Sequence, residues 1–293
     1  MELSSHPRHE LVYADPRVCH VGFDQGNTKE QCGFLEYLSR NLGRGRLDSY
    51  LEICPGPAYH MRYLASLGVR SYGVDFSADL VAYAKAMTEE QGESENGKMI
   101  TLGEMGQMEE VPVPGPSLVF DPMVADLCDF SLTEAVDLAF CPRYAFRYLL
   151  KNEEIISHLV SVAKNLSRNG LYVLELLHPA ELFCAGASRI RSWTNQSDEM
   201  TVKVRIQDGD EPFDPINQIF DQRIMMNVTE GEKEWELTDR APVRLVTHQE
   251  LRTLVQLSGV FEWVATFGDL LITQPFDNSP GARCMVPVLR CCV

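Results

Sequence analysis

The sequence predicts an α/β fold, in which one large sheet is flanked by helices and carries an inserted antiparallel β-layer. Three observations support this prediction. Apolar runs typical of buried strands alternate with runs at helical spacing over much of the chain. Between Met200 and Thr247, apolar and polar residues alternate instead, separated by turns such as "DGD" and "EGE". The length of 293 residues is sufficient for one large core with such an insertion.

The first half of the chain begins with a helix and continues as alternating strands and helices. Apolar residues at helical spacing predict a helix from Lys29 to Leu42, which ends before the glycines of "GRGR". The next four elements are a strand at 49–54, a helix at 58–68, a strand at 71–76 and a helix after the N-cap residue Ser77. This order implies right-handed crossovers and parallel strands.

The second half resumes this pattern after a stretch at 91–119 that is rich in Gly, Glu and Pro, where we expect a strand fragment and a solvated excursion. The later core elements are the apolar runs "MVADLCDF", "VDLAFC" and "GLYVLELLHP", with a helix from Asn152 to Leu166 before the last of them. After the β-layer, Thr247 and Glu250 predict a capping box, and the strands "FEWVATFGD" and "RCMVPVLRCC" complete the sheet.

The charge of the chain argues against nucleic acid and anionic membranes as partners. There are 42 acidic and 26 basic residues, which gives a net charge of -16. Such a surface repels phosphate groups and provides no counterion release on nucleic-acid binding. A small amine-bearing or cationic substrate fits this charge better, although an acidic surface also serves solubility alone.

The nine cysteines predict free thiols in a reducing compartment, because they form no even framework and several lie in apolar runs. The N-terminus has no apolar h-region, so we expect a cytoplasmic protein. The histidines show no H-E-x-x-H spacing and no C-x-x-C companion motif. The sequence therefore predicts no metal site.

The segment "LEICPGPAYH" joins the end of a strand to the start of a helix, where backbone N–H groups favour an anionic or polar ligand. Gly56 permits close approach of the backbone to a ligand, and Ala58 permits close helix packing. The two prolines remove N–H donors, so the loop suits a carboxylate or ribose better than a pyrophosphate. Asp75 ends the second strand, 23 residues after Glu52, where a carboxylate accepts both hydroxyls of a ribose.

These residues carry a resemblance to the class I S-adenosylmethionine-dependent methyltransferases of the small-molecule type. Their first motif runs close to L-E-x-A-C-G-P-A-R-H, and here it reads "LEICPGPAYH". The resemblance continues through "GVDFSADLVAYAKAM", "VADLCDFSLTEAVDLAF" and "RLVTHQELRTLVQLSGV", and it covers most of 49–276. It implies a Rossmann-like sheet of seven strands. The position of the β-layer is similar to that in amino-sugar and glycine-type N-methyltransferases.

The resemblance implies S-adenosyl-L-methionine as cofactor, S-adenosyl-L-homocysteine as product and eight cofactor-binding residues, namely Glu52, Cys54, Gly56, Asp75, Phe76, Asp126, Leu127 and Cys141. The first three would line the methionine part. Asp75 would bind the ribose hydroxyls, Phe76 would flank the adenine, and the next two residues would meet its edge. Cys54 and Pro55 replace the usual small residue and cysteine, and Tyr59 replaces a frequent arginine. These departures leave open a homologue that binds the cofactor without using its methyl group.

The candidates for catalysis and substrate binding lie near the carboxyl ends of the predicted strands. His178 closes the fifth strand and is the first candidate for a general base, with a strand-capping role as the alternative. Tyr144, Arg143 and Arg147 follow the fourth strand and are candidates for shaping a substrate pocket, or for packing. Tyr13 resembles the tyrosine of an N-terminal lid in related enzymes, with plain packing as its alternative.

The leading functional hypothesis is transfer of a methyl group to a small-molecule acceptor by in-line displacement, with an amine nitrogen as the favoured acceptor and oxygen or carbon acceptors behind it. The alternative is a cofactor-bound homologue that does not methylate, such as a partner subunit or a pericyclase-like or decarboxylating protein. The third hypothesis is a dinucleotide oxidoreductase. The absence of a G-x-G-x-x-G motif from this sequence argues against it.

The sequence patterns and the resemblance together predict four structural units. They are an N-terminal helical lid (1–47), a Rossmann-like core that binds the cofactor (48–180), the antiparallel β-layer (181–246) and a C-terminal segment that completes the core sheet (247–293). The sheet face and edges of the β-layer predict a homodimer, because natural proteins usually cover such surfaces.

Overall fold

The computed structural model describes residues 8–24, 26–94, 98–102, 108–112, 119–182, 189–208 and 213–293. The helices are α1 (Glu10–Tyr13), α2 (Pro16–Gly22), α3 (Thr28–Leu42), α4 (Tyr59–Ser66), α5 (Ala78–Ser94), α6 (Asn152–Lys164), α7 (Pro179–Leu182) and α8 (His248–Ser258). The strands are β1 (Ser49–Ile53), β2 (Arg70–Asp75), β3 (Lys98–Leu102), β4 (Met108–Pro112), β5 (Phe120–Val124), β6 (Val136–Cys141), β7 (Leu166–Leu174), β8 (Leu176–Leu177), β9 (Arg189–Gln196), β10 (Met200–Asp208), β11 (Ile219–Glu230), β12 (Lys233–Arg244), β13 (Phe261–Phe267) and β14 (Cys284–Cys291).

The central sheet has seven strands in the spatial order β13-β14-β7-β6-β1-β2-β5, and the short strand β8 pairs with β14. Strands β5, β2, β1, β6 and β7 are parallel to one another. Strand β14 is antiparallel to β7, and β13 is antiparallel to β14. The mostly parallel sheet predicted from the sequence is therefore confirmed. The carboxyl ends of the parallel strands meet at one edge, where ligands of such sheets bind.

The smaller sheet is fully antiparallel, in the order β12-β11-β10-β9. The inserted β-layer is thus confirmed, with one strand more than the pattern after Met200 indicated. The additional strand β9 contains the sequence "RIRSWTNQ", in which polar residues outnumber apolar ones. A separate hairpin of β3 and β4 lies within the stretch where the sequence predicts only a strand fragment.

Three apolar clusters hold these layers together. One covers the face of the central sheet that packs against α6 and α8, with Ile155, Leu159 and Leu251 fully buried. A second covers the opposite face, against α3 and α4. The third joins Val12 and Val18 of the N-terminal helices to the β-layer. The N-terminal segment is therefore packed against the β-layer as well as the core.

The N-terminal segment forms two short helices instead of the polar start that the sequence suggests. The Asp15 side chain accepts hydrogen bonds from the backbone N–H groups of Arg17 and Val18 and thereby begins α2. At Gly22 an added Cβ would lie 3.1 Å from Val202, so the segment approaches the β-layer closely. None of the helices in the described ranges combines the length and apolar character needed to cross a membrane.

Candidate active site

A cavity of about 630 Å³ lies at the carboxyl ends of β1, β2 and β6, beneath the N-terminal helices and the β-layer. The size lies in the range of small-molecule binding sites. The walls come from five parts of the chain: the loop after β1, the end of β2 with the start of α5, the segment after β6, helices α1 and α2, and strands β9 to β12. Three of the four units defined from the sequence therefore contribute to this cavity. None of its described lining residues comes from the C-terminal unit.

Two loops at this cavity hold non-glycine residues at positive φ. The loop after β1 contains Cys54 (φ 55°) and Ala58 (φ 58°), and the segment after β6 contains Arg143 (φ 54°) and Tyr144 (φ 61°). This left-handed conformation costs free energy in L-residues other than glycine, and such strain concentrates at functional sites. Gly56 also has positive φ (54°), and no heavy atom beyond the two adjacent residues lies within 4 Å of the position that a Cβ would occupy. The loop thus leaves room for a ligand beside the Gly56 backbone.

Asp75 lies at the end of β2 in the cavity wall and is 2 % exposed. One carboxylate oxygen accepts the N–H of Gly56 (3.1 Å), and the other accepts the N–H of Ser77 (3.0 Å). Burial raises the pKa of Asp75, and the backbone hydrogen bonds lower it in part. Each carboxylate oxygen has a second lone pair, so the group retains capacity for two further donors.

Phe76 and Cys54 complete the group of predicted cofactor residues that line the cavity, together with Gly56 and Asp75. The Phe76 ring lies under the guanidinium of Arg8 (4.5 Å from the ring centroid) and against the edge of Tyr13 (6.0 Å between centroids). Burial raises the pKa of the Cys54 thiol well above its usual value. The roles of these four residues toward a cofactor stay predictions.

Glu52 lies beneath the loop and does not line the cavity. The side chain is 1 % exposed, and its oxygens face Nδ1 of His60 (2.8 Å) and the N–H of Met61 (3.3 Å). The other nitrogen of His60 lies 2.7 Å from the side-chain oxygen of Gln31. These contacts join β1, α4 and α3, so Glu52 shapes the loop from below.

Asp126, Leu127 and Cys141 are likewise not among the lining residues of this cavity. Asp126 lies two residues beyond the end of β5. Its carboxylate accepts the N–H of Cys128 (2.8 Å). Leu127 and Cys141 are buried in the core, and the Leu127 carbonyl faces Nδ1 of His158 (2.8 Å). The structure therefore does not bring these three side chains together with Asp75 in the cavity wall.

Tyr144, a candidate for catalysis, and the candidate substrate residues Arg143 and Arg147 line the cavity on the side of the β-layer. The Arg143 guanidinium lies 5.1 Å from the ring centroid of Tyr59 and donates a hydrogen bond to the carbonyl of Phe23. Arg147 is 4 % exposed and lies 4.9 Å from the ring centroid of Phe220. Burial raises the pKa of Tyr144, so its hydroxyl stays protonated.

The N-terminal helices close one side of the cavity. The Trp193 indole N–H donates to the Gly22 carbonyl (2.7 Å), and the Asn195 side chain donates to the Val21 carbonyl (3.1 Å). The Leu11 N–H donates to the carboxylate of Asp239 (2.7 Å). Tyr13 projects from this segment into the cavity wall, with its hydroxyl 3.2 Å from that of Tyr148.

His178 lies outside the cavity wall, in contrast to the position predicted for a general base. The ring is 4 % exposed, and Nδ1 accepts the N–H of Ala180 (3.1 Å). The other nitrogen, Nε2, lies 3.0 Å from the Asp277 carbonyl and donates to it. Both nitrogens are engaged by backbone groups, so the ring caps the end of the strand, which is the alternative considered for this residue.

Several lining residues were not singled out from the sequence: Cys19, Phe23, Tyr148, Arg191, Trp193, Ile206, Gln222 and Ile224. Most of them come from the N-terminal helices and the β-layer, which carry no motif. Within the described residues, no three side chains of His, Cys, Asp and Glu come together as metal ligands.

Comparison with solved structures identifies the fold. The chain is similar to a S-adenosylmethionine-dependent methyltransferase from Clostridium acetobutylicum ATCC 824 (TM-score 0.66, 14 % identity, 96 % of this chain and 94 % of that chain). It is also similar to the CcbJ methyltransferase from Streptomyces caelestis (TM-score 0.67, 19 % identity, 98 % and 100 %). A third similar structure is the sugar N-methyltransferase KedS8 from Streptoalloteichus sp ATCC 53650 (TM-score 0.63, 14 % identity, 99 % and 95 %).

No model of a known protein family matches the chain, and no curated protein matches it. The structural similarity shows that the chain has the Rossmann-like fold of S-adenosylmethionine-dependent methyltransferases over nearly its whole length, including the β-layer. The fold class predicted from the sequence is confirmed.

Proposed function

We propose that the protein is a S-adenosylmethionine-dependent methyltransferase that acts on a small molecule, with an amine nitrogen as the acceptor. The observation that carries this proposal is the cavity at the carboxyl edge of the sheet, with Asp75, Gly56 and Phe76 on one side and Tyr13 and the β-layer on the other. The fold is shared with methyltransferases, and one similar structure is that of a sugar N-methyltransferase.

The residues around the loop after β1 fit the proposed cofactor. The Asp75 carboxylate suits two ribose hydroxyls, the open space beside Gly56 suits a methionine chain, and the Phe76 ring suits an adenine. When bound, S-adenosylmethionine supplies a methyl group that is already activated on a sulfonium. The protein therefore has to align the acceptor and exclude water more than it has to activate the methyl group.

The remaining wall residues provide this alignment and exclusion. The N-terminal helices are hydrogen-bonded to β9 and β12, so they cover one side of the cavity. Aromatic side chains of Phe23, Tyr144 and Trp193 form the acceptor side together with the apolar face of the β-layer. Arg143, Arg147 and Arg191 also line this space, and nearby positive charges favour a neutral amine over an ammonium.

Binding measurements test the cofactor. We expect S-adenosylmethionine and S-adenosylhomocysteine to bind with micromolar dissociation constants, equivalent to about 7 to 8 kcal/mol, and NAD not to bind. Isothermal titration calorimetry measures all three on the same protein preparation. Saturable binding of NAD, with no heat from either sulfur compound, contradicts the proposal.

Transfer of a labelled methyl group tests the reaction. The protein is incubated with methyl-labelled S-adenosylmethionine and a panel of primary and secondary amines, including amino sugars, their nucleotide conjugates and amino acids. Matched alcohols of the same size serve as controls for oxygen acceptors. Label in an amine supports the proposal, whereas tight cofactor binding without label transfer to any compound supports the non-methylating alternative.

We also propose that the protein is a homodimer that works in the cytoplasm. In the described part of the smaller sheet, β9 and β12 each pair on one side only, so two strand edges remain for a second copy. Eight cysteines in the described residues are free thiols, as a reducing compartment maintains them. Analytical ultracentrifugation at high protein concentration checks the dimer, and a single species at the 33.0 kDa monomer mass contradicts it.

A further inference from the structure

A chain of hydrogen bonds leads from the cavity wall to a buried histidine. Tyr13 and Tyr148 both line the cavity, and their hydroxyl oxygens lie 3.2 Å apart. The Tyr148 hydroxyl lies 2.7 Å from Nδ1 of His9, and Nε2 of His9 lies 2.9 Å from the Gln222 carbonyl oxygen. The His9 side chain is fully buried and is not part of the cavity wall.

The Gln222 carbonyl fixes the direction of this chain. A carbonyl oxygen only accepts hydrogen bonds, so Nε2 of His9 carries a proton and donates it. In the neutral ring, Nδ1 is then the acceptor and the Tyr148 hydroxyl is its donor. Because the single Tyr148 proton is used in this way, Tyr148 accepts the hydrogen bond from Tyr13. The Tyr13 oxygen is left with lone pairs at the cavity wall.

We propose that Tyr13, Tyr148 and His9 form a relay that removes a proton from the acceptor amine, a role that rests on the proposed methyl transfer. An amine that arrives as an ammonium loses one N–H bond, and the electron pair of that bond stays on nitrogen as the attacking lone pair. The proton moves to the Tyr13 oxygen, the Tyr13 proton moves to Tyr148, and the Tyr148 proton moves to Nδ1 of His9.

The relay ends with an imidazolium and two neutral tyrosines, so atoms and charge balance. Tyr13 contacts the substrate and is the catalytic residue, whereas Tyr148 and His9 are positioning residues that act through it. After transfer, the two hydrogen bonds that link Tyr13, Tyr148 and His9 are reversed, while Nε2 of His9 still donates to the Gln222 backbone carbonyl. After the methylated product leaves, the proton returns from the buried His9 along the same chain to water in the cavity, which restores the resting hydrogen-bond directions.

Burial raises the pKa values of Tyr13 and Tyr148, which favours a relay over a lone tyrosinate base. A tyrosinate would be costly in this setting, but a concerted shift along the chain leaves neither tyrosine charged. The other two candidates for accepting the proton, Asp75 and His178, are already engaged in hydrogen bonds with backbone groups. Asp75 is the one carboxylate among the described lining residues, and it holds two loop N–H groups. Both ring nitrogens of His178 are bound to backbone groups.

The first test reads the protonation of His9 directly and needs no acceptor. In protein labelled with nitrogen-15 histidine, we expect His9 near neutral pH as the neutral tautomer with its proton on Nε2. The His9→Gln variant assigns the resonances. Tyr148→Phe is expected to shift the Nδ1 resonance of His9, because it removes the donor. A proton on Nδ1 in the resting protein overturns the relay, since that nitrogen then has no lone pair to accept one.

The second test is kinetic and uses the amine that accepts most label in the panel. Tyr148→Phe is expected to lower kcat by about 10² to 10³-fold and to leave the dissociation constant of S-adenosylmethionine unchanged. The solvent deuterium isotope effect on kcat should also change, because fewer protons move in one step. A purely structural role for the hydroxyl does not alter that isotope effect.

Tyr83→Phe is the matched control. The Tyr83 hydroxyl lies 2.7 Å from Nδ1 of His20, so it pairs with a histidine of the N-terminal helices at the same distance as Tyr148 with His9. Tyr83 does not line the cavity. We therefore expect this variant to keep the kcat and the isotope effect of the parent protein.

Chemical rescue separates proton transfer from packing. In His9→Ala, added imidazole is expected to restore turnover, whereas pyrazole, which has the same shape and is a much weaker base, is not. Equal rescue by both compounds overturns the relay, as does a Tyr148→Phe variant with unchanged kcat and isotope effect. Either result leaves the proposed methyl transfer by the parent protein unaffected. No transfer by the parent to any acceptor contradicts the proposed function instead.

Discussion

Replacing Asp75 by alanine is expected to weaken S-adenosylmethionine binding by about 10- to 1000-fold and to leave the protein folded. The carboxylate lies at the end of β2 in the cavity wall, and each charge-assisted hydrogen bond to a ribose hydroxyl contributes about 1.5–3 kcal/mol. The N–H groups of Gly56 and Ser77 also lose their acceptor, so the loop becomes less well held. Calorimetry measures the affinity, and circular dichroism checks the fold.

Asp137→Ala is a matched control for this variant. Asp137 lies near the start of β6, and its carboxylate accepts the N–H groups of Asp48 (3.2 Å) and Ser49 (3.0 Å). The variant loses backbone hydrogen bonds of the same kind at the opposite edge of the sheet. We expect a lower free energy of unfolding and an unchanged cofactor affinity. Equal cofactor affinities of the parent and a folded Asp75→Ala protein would place the ribose site elsewhere, and all eight predicted cofactor contacts would need reassignment.

The central sheet could be predicted from the sequence because its strands are buried on both faces and joined by amphipathic helices. The run "VDLAFC" coincides with β6, and the predicted helix from Lys29 differs from α3 by one residue. Helices α1 and α2 could not be predicted in the same way. They have 4 and 7 residues, which is too short for a helical pattern, and their contacts with the β-layer stabilise them.

Strand β9 of the β-layer could not be predicted from the sequence for a similar reason. In "RIRSWTNQ" the apolar residues are few, and five of the eight residues are arginine, serine, threonine or asparagine. Its strand conformation depends on the ladder with β10, in which Thr201 pairs with Gln196 and Asp208 with Arg189. Pairing with a neighbour in space is not encoded in the local pattern of one segment.

The part of the candidate site that lies at the ends of β1 and β2 could be predicted from the sequence. Cys54, Gly56, Asp75 and Phe76 lie at the ends of two adjacent parallel strands, so topology alone brings them together. Trp193 and Gln222 come from the β-layer, whose placement over the cavity depends on tertiary packing. The sequence has no local motif for such residues.

His178 shows why the position of a strand end is insufficient to assign a base. The end of the strand places the backbone at the correct edge, but the Asp277 carbonyl and the Ala180 N–H determine where the ring lies. The net charge of -16 has a similar limit, because Arg143, Arg147 and Arg191 line the cavity despite it. Net charge describes the whole surface, so it does not determine the charge of the groups that line one cavity.

Tyr13→Phe is expected to lower kcat by about 10² to 10⁴-fold, with little change in cofactor affinity. Phenylalanine keeps the ring contacts with Phe23 (6.4 Å between centroids) and Phe76 (6.0 Å) and removes only the hydroxyl beside Tyr148. The loss therefore reports proton transfer more than packing. Steady-state rates with the best amine of the panel and calorimetry with S-adenosylmethionine measure the two quantities separately.

His178→Ala gives the decisive comparison for this prediction. The ring holds the Asp277 carbonyl and the Ala180 N–H, so its removal should lower the free energy of unfolding by about 1–3 kcal/mol and leave kcat within a few fold of the parent value. A Tyr13→Phe protein with the parent kcat, together with a folded His178→Ala protein that has lost about 10²-fold or more, would reverse the assignment. The proton would then leave at the end of the fifth parallel strand, and the Tyr13 ring would serve to pack the N-terminal helices over the cavity.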